Sequence, residues 1–207
     1  MKAFTTLEAS ACPLPLANVD TDQVIPARFM KRPRSEGGYG QYLLYDFRFG
    51  ADGVKRVDFS LNDPRYERAQ ILVARRNFGC GSSREPAVYA LADHSFRCVI
   101  APSFGDIFAS NAIRNGIVPA AVSEADAELL LQNALVTAGL AIRVDLAEQK
   151  IVAGNLSVDF AIPAQWKARL LNGWDDVDLT RVHGAEIEAF AAAWQSANPW
   201  VLPRAGR

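Results

Sequence analysis

The sequence has few of the residues that build disulfide frameworks and metal sites. It contains three cysteines and two histidines among 207 residues. Cys12, Cys80 and Cys98 are far apart and form neither a CxxC pair nor an even set, which argues against a disulfide framework and favours a reducing compartment. Neither His94 nor His183 has a metal-ligand partner at helical spacing, so both are interpreted as structural or surface residues.

The chain also lacks an excess of charge and a long apolar run. The formal net charge is −1 and the pI is about 6.1, which argues against a basic face and against nucleic acid as a partner. No apolar stretch approaches membrane-spanning length, and the first residues contain no apolar signal run; we therefore expect a soluble, cytoplasmic protein without a membrane partner. Half of the residues are hydrophobic, enough for one sizeable core with at most a small appendage.

The most informative segment covers residues 77–85, Asn-Phe-Gly-Cys-Gly-Ser-Ser-Arg-Glu. An apolar run at 70–74 predicts a buried strand before it. Residues 87–92 predict a helix after it, and Pro86 is compatible with the first helical turn. A glycine turn between a strand and a helix N-terminus presents free N–H groups to a ligand, so this segment predicts a carboxylate or phosphate site.

Strand and helix signals alternate early in the chain, and hairpins and helices follow, which indicates a mixed α/β fold. Residues 1–10 predict a short strand, whereas prolines make 11–29 loop-like. Residues 31–41, the basic loop, are charged and glycine-rich, which predicts a mobile loop, although a plain solvated loop has the same composition. Further predictions are strands at 98–101 and 117–122, a helical turn at 64–69, helices at about 106–114, 123–138, 163–172 and 184–196, and a meander at 141–145, 150–153 and 156–161.

Three motifs occur in an order and spacing that resemble a known family. They are residues 18–26, 77–85 and 101–108, followed late in the chain by Leu-Asn-Gly-Trp-Asp at 171–175. Together they resemble the small subunits of 3-isopropylmalate dehydratase, which are similar to the swivelling last domain of aconitase. The resemblance implies an α/β fold of the three-layer β/β/α swivelling type. It also implies one such domain over residues 1–207, with a substrate-recognition loop near 31–41 and a C-terminal helical extension.

The same resemblance implies an enzyme built from two subunits. This chain would bind no cofactor or metal itself and would be active only with a large subunit that carries a [4Fe-4S] cluster, in a heterodimer or heterotetramer. The implied reaction is a hydro-lyase isomerisation in leucine biosynthesis, from 2-isopropylmalate through isopropylmaleate to 3-isopropylmalate. Two alternatives stay open, namely a related hydro-lyase acting on another small hydroxy-diacid of the citramalate/citraconate type, and a non-catalytic carboxylate-binding module.

By this resemblance Ser82 is the catalytic base. A serine acts as a base only as an alkoxide, and a helix N-terminus with the adjacent Arg84 supplies the positive potential that an alkoxide needs. Arg84 also suits a substrate carboxylate, because its guanidinium is a planar bidentate donor. Ser83 and Gly81 are assigned to substrate binding. The alternative for both serines is helix N-capping, and a Ser82 hydroxyl buried away from any cleft would exclude the catalytic role.

Upstream residues complete the implied site. Asp22 matches the position of an aconitase active-site aspartate and is predicted to orient the base or an arginine, although its polar cluster could instead form an Asx turn. Arg34, with Arg32 as second choice, is predicted to bind a substrate carboxylate from the basic loop. Arg28, at the base of that loop, is interpreted as an ordinary salt-bridging residue.

Two residues of the glycine motif need separate interpretation. Cys80 alone cannot hold an iron–sulfur cluster, which needs three or four thiolates, so it is interpreted as a small residue in a crowded turn. Many relatives are expected to have histidine after Glu85, where this chain has Pro86, and this departure keeps the citramalate-type alternative open. The surface around 18–40 and 78–84 is expected to face the partner, and a basic loop sealed over the glycine turn would argue against such a shared site.

Overall fold

The computed structural model describes residues 1–200. A first compact unit covers Met1–Gly173, and a second begins at Trp174. The second unit contains α7 (Asp176–Arg181) and α8 (Gly184–Ala197). None of the helices in the described part of the chain is long and apolar enough to cross a membrane.

The first unit is built on one seven-stranded sheet in the order β4-β3-β2-β1-β5-β6-β7. Its long first strand joins two halves, since its first residues pair antiparallel with β5 and its last residues pair parallel with β2. The strands are β1 (Thr6–Leu14), β2 (Ile71–Ala74), β3 (Cys98–Ala101), β4 (Val118–Ala121), β5 (Ala141–Asp145), β6 (Lys150–Ala153) and β7 (Leu156–Asp159).

Helices α1 to α5 follow the strands of the parallel half, and α6 follows β7 of the antiparallel half. They are α1 (Thr21–Val24), α2 (Tyr45–Arg48), α3 (Glu85–Asp93), α4 (Asp106–Arg114), α5 (Glu124–Val136) and α6 (Ala164–Asn172). Buried residues of α3 and α4 pack with one face of the parallel strands, and the other face packs with α5 and the antiparallel meander. The predicted α/β class is confirmed by this mixed seven-stranded sheet, which packs against helices on both faces of its parallel strands.

The predicted loop at 11–29 is wrong at its first residues, 11–14, which belong to a strand. Strand β1 continues to Leu14 and includes Pro13. The Ala11 N–H faces the β5 edge of the strand and donates to Leu140 O. Pro13, two residues further on, faces the same edge, but no residue of β5 is paired with it. The proline nitrogen therefore faces a side of the strand where no ladder hydrogen bond is required.

The short helices α1 and α2 were missing from the predicted elements, and α1 positions part of the candidate site. Asp20 caps α1 by accepting from the Gln23 N–H at 2.7 Å, while the Gln23 side chain accepts from the Asp20 N–H at 3.0 Å. This reciprocal pair is a capping box, which stabilises the start of so short a helix. Asp22 lies in the first turn of α1 and takes no part in the capping box. Its carboxylate accepts a hydrogen bond from Arg84 instead.

Candidate active site

The three motifs meet beyond the carboxyl end of β2. The Gly79 N–H donates to Val19 O at 2.7 Å, and the Thr21 N–H donates to Cys80 O at 3.0 Å. On the other side, the Phe78 N–H donates to Ser103 O at 3.0 Å. The glycine turn therefore lies between the segment that leads into α1 and the segment that leads into α4, as expected for a ligand site at the strand ends of a parallel sheet.

Close packing explains why the turn needs glycine. Gly79 has φ +73°, and a Cβ there would lie 2.6 Å from Phe108 Cδ2. Gly81 has φ +88°, another conformation that L side chains rarely adopt. The buried Phe108 ring meets Phe78 edge-on at 5.2 Å and fixes the underside of the turn.

The turn presents a row of free donors. The backbone N–H groups of Gly81, Ser82, Ser83 and Arg84 donate no hydrogen bond to any of residues 1–200. They precede the first residue of α3, where the helix dipole places a partial positive charge. Successive unpaired N–H groups at a helix N-terminus form an anion-binding arrangement.

The two serine hydroxyls are free as well. The N-cap residue of α3 is Arg84, with no side-chain capping hydrogen bond, so the N-capping alternative for Ser82 and Ser83 is wrong. Both serines are exposed, and neither hydroxyl is hydrogen-bonded to another described residue. Pro86 lies in the first turn of α3, as predicted.

Ser82 opens onto a surface cleft of about 180 Å³. A Ser82 hydroxyl without access to any cleft would have excluded the catalytic role, and the structure does not show that. One wall is the glycine turn and the other is the beginning of α4. The lining residues are Gly79, Gly81, Ser82, Gly105, Asp106, Ile107 and Phe108.

Arg84 and Asp22 lie together beside the turn. The Arg84 Nη1 group is ion-paired with Asp22 Oδ1. The arginine side chain is 22% exposed and the aspartate 52%, so the pair stands at the surface with the guanidinium more covered. Thr21, from the same short helix, donates its hydroxyl proton to Ser82 O at 2.8 Å. Helix α1 therefore anchors both the serine backbone and the neighbouring arginine.

The basic loop is held at the opposite end of α3. Arg34 Nη2 lies 2.6 Å from Asp93 Oδ1, and the guanidinium stacks over the Tyr89 ring at 4.2 Å. The Tyr39 N–H donates to the same carboxylate at 2.8 Å. Helix α3 has nine residues, which places Asp93 roughly 12 Å along the axis from Glu85. Arg34 is therefore not beside Ser82, and these contacts do not seal the loop over the glycine turn.

Charge explains the stability of this contact. Burial raises the pKa of Asp93, but the Arg34 guanidinium and the Tyr39 N–H outweigh that effect and hold the pKa below its ordinary value.

Arg32 makes a different contact, donating from Nη1 to the Tyr42 hydroxyl at 3.1 Å. Arg28 pairs with Asp46 on the surface, which agrees with its interpretation as a salt-bridging residue.

The cysteines do not form a metal site in the described residues. No group of three or more His, Cys, Asp or Glu side chains between residues 1 and 200 is placed to hold a metal ion. Cys12 and Cys98 are buried core residues. Burial raises the pKa of the Cys12 thiol to about 12 and also raises that of Cys98, as expected for thiols packed in an apolar core. These residues do not fit an iron–sulfur cluster.

The two histidines have structural environments. His183 contacts Glu186 on the surface at 3.1 Å. The His94 ring stacks on Phe96 at 5.3 Å, and its Nδ1 is buried without a hydrogen-bond partner in the described chain. Burial, reinforced by the charge of Arg48, lowers the pKa of His94 below its ordinary value of 6.5.

The buried His94 predicts an acid-sensitive stability. Because its pKa is lower in the folded state, the unfolded chain takes up a proton first as the pH falls below 6.5, and the free energy of unfolding decreases from there down to the folded-state pKa. We expect the wild-type melting temperature to fall between about pH 7 and pH 5, and to fall less steeply in His94→Gln. Thermal unfolding followed by circular dichroism checks this, and parallel curves for the two proteins would contradict it.

Fold and site together define a mixed α/β domain with a serine-bearing glycine turn at a helix N-terminus. Residues 1–125 match the family described as the aconitase C-terminal domain. The 3-isopropylmalate dehydratase small subunit of Oceanobacillus iheyensis is 47% identical over 183 residues, 88% of this chain and 94% of the relative. That of Caulobacter vibrioides is 44% identical over 202 residues, 97% and 99% of the two chains. The chain belongs to the family of 3-isopropylmalate dehydratase small subunits.

A solved structure supports the fold. The crystal structure of 3-isopropylmalate dehydratase from Methanocaldococcus jannaschii matches with a TM-score of 0.63 at 24% identity. The match covers 89% of this chain and 98% of that one.

Sequence reasoning missed several residues that shape the site. Thr21 and Asp93 act through partners 61 and 59 residues away, and a single sequence gives no signal for such contacts. Asp106 and Ile107 could have been found, because they directly follow Gly105 at the start of a predicted helix in the third motif.

Proposed function

We propose that this chain is the small subunit of a 3-isopropylmalate dehydratase and isomerises 2-isopropylmalate to 3-isopropylmalate together with a large subunit. The observation that carries the proposal is the exposed Ser82 hydroxyl, which opens onto a cleft beside unpaired backbone N–H groups and Arg84. The names of the family's members supply the substrate.

Ser82 is proposed as the base. In the dehydration, the C–H bond beside a carboxylate breaks and its proton moves to the Ser82 oxygen, while the electron pair forms the C=C bond and hydroxide leaves the neighbouring carbon. Rehydration with the opposite orientation returns the proton and places the hydroxyl on the other carbon. The N–H groups at the start of α3 and the Arg84 guanidinium favour the ionised serine before the substrate arrives, because their positions are already fixed.

The substrate carboxylate is assigned to the same turn. The backbone N–H of Gly81 and the hydroxyl of Ser83 are free to donate to it, and Arg84 adds a charge-assisted donor. Asp22 is proposed to orient Arg84, with which it is ion-paired. Residues 1–207 are proposed to act as one swivelling domain with a C-terminal helical extension.

The basic loop is proposed to bind the far carboxylate. In the resting contact, Arg34 is occupied by Asp93, so substrate binding requires Arg34 to exchange this carboxylate for that of the substrate. Arg32 is the second candidate. The exchange requires movement of the loop, in keeping with the predicted mobility of residues 31–41.

The Arg34 assignment predicts a change in substrate affinity. In the enzyme reconstituted with its large subunit, Arg34→Ala should raise KM by about 10–100-fold, because a charged hydrogen bond is worth about 1.5–3 kcal/mol, and should change kcat much less. Arg28→Ala, which removes an exposed arginine paired with Asp46, is the matched control. Steady-state kinetics measures both, and an unchanged KM for Arg34→Ala would rule out the assignment.

The partner completes the site in this proposal. The surface around 18–40 and 78–84 is proposed to face a large subunit that carries the [4Fe-4S] cluster, in a heterodimer or heterotetramer in the cytoplasm. When bound there, the cluster supplies the Lewis acid that assists the departure of hydroxide. This chain supplies the base, the carboxylate donors and the substrate-recognition loop.

Reconstitution tests the function directly. The chain is combined with large subunits of 3-isopropylmalate and citramalate-type dehydratases, and turnover of 2-isopropylmalate and of 2-methylmalate is measured. Turnover of 2-isopropylmalate, only when both subunits are present, is the expected result. Turnover of 2-methylmalate alone would favour the citramalate-type alternative, which Pro86 leaves open, and carboxylate binding without any turnover would favour a non-catalytic module.

A further inference from the structure

We infer that Ile107 is a specificity-determining residue that contacts the apolar substituent of the substrate. This inference rests on the proposed function. It identifies which wall of the cleft contacts the apolar substituent of the substrate. It starts from the chemical difference between the two walls. The glycine turn offers the unpaired N–H groups of Gly81 and Ser82, whereas the beginning of α4 offers an aliphatic side chain and a carboxylate.

Packing of α4 directs Ile107 into the cleft. Phe108 is buried beneath Gly79 and in contact with Phe78 and Phe104, so its direction is fixed. The preceding residue on an α-helix is rotated by about 100°, which turns Ile107 out of the core. Ile107 is 51% exposed and lines the cleft that contains Ser82. A lone exposed isoleucine is ordinary on a protein surface, but here it borders a reactive hydroxyl.

Asp106 sets the orientation of the substrate. Its exposed carboxylate also lines the cleft and has no hydrogen-bond or ion-pair partner among residues 1–200. A substrate carboxylate is repelled from this wall and attracted to the donors of the glycine turn. The uncharged branch of the substrate therefore faces α4, where Ile107 provides the aliphatic surface.

The test compares two substrates that differ only in this branch. The holoenzyme is assembled with wild type, Ile107→Val, Ile107→Ala and Leu129→Ala, and kcat/KM is measured for 2-isopropylmalate and 2-methylmalate. A methylene in an apolar pocket is worth about 10–200-fold in selectivity. We expect the isopropyl-to-methyl ratio to fall about tenfold in Ile107→Ala, to fall less in Ile107→Val, and to stay unchanged in Leu129→Ala, which alters a 52% exposed side chain on α5.

The outcomes separate this inference from the proposed function. A wild-type enzyme that turns over 2-isopropylmalate, with the same ratio in every variant, would overturn the role of Ile107 alone. Equal losses on both substrates, together with weaker subunit binding in a titration, would also overturn it and would make Ile107 an interface residue. A wild-type holoenzyme that turns over neither substrate would overturn the proposed function and this inference with it.

Discussion

Ser82→Ala is expected to lower kcat of the reconstituted enzyme by about 10²–10⁴-fold, the usual contribution of a general base. The substitution removes the oxygen that takes the proton and little else. The Ser82 hydroxyl is exposed and is bonded to no described residue. The contact that holds the turn uses its backbone carbonyl, which accepts from Thr21, and alanine retains it. Turnover of 2-isopropylmalate and binding of the large subunit are measured on the same preparation.

The control is Ser157→Ala, which removes an exposed hydroxyl on β7, in the antiparallel meander. It should leave kcat and subunit binding unchanged. An alanine at position 82 that retained near-normal turnover would remove Ser82 as the base. A loss of turnover that merely followed a loss of assembly would indicate a structural role instead.

Local sequence signals predicted much of the fold. The strand at 98–101 and the helix at 106–114 match β3 and α4, because an apolar β-branched run and a glycine just before a helical pattern are strong short-range signals. The helix α1 was missed, although Asp20 and Gln23 have capping-box spacing, because four residues between prolines give too short a pattern for periodicity to be read.

The glycine turn was predictable because its chemistry is contained in consecutive residues. The position of Arg34 was not, since it depends on a carboxylate 59 residues away on the far end of α3. The role of Pro13 in β1 was equally hidden, because only the sheet order shows which edge its nitrogen faces. Sequence predicts a site well where neighbouring residues build it, and poorly where the tertiary fold brings distant residues together.

A large loss of stability is expected from Gly79→Ala. The residue has φ +73°, and its new Cβ would lie 2.6 Å from Phe108 Cδ2 and 2.7 Å from Phe108 Cβ. The left-handed conformation costs an L residue about 1–2 kcal/mol, and overpacking in a core adds about 1–3 kcal/mol. We therefore expect the free energy of unfolding to fall by about 2–5 kcal/mol, measured by urea denaturation of the isolated chain.

Gly53→Ala separates these two contributions. Gly53 has φ +76°, close to that of Gly79, but an added Cβ has nothing within 4 Å. It should lose only the conformational part, about 1–2 kcal/mol, so the difference between the variants measures the overlap with Phe108. Equal losses would mean that Phe108 moves aside without cost. A larger loss at Gly79 would show that Phe108 of α4 is packed too closely against the glycine turn to move aside without cost.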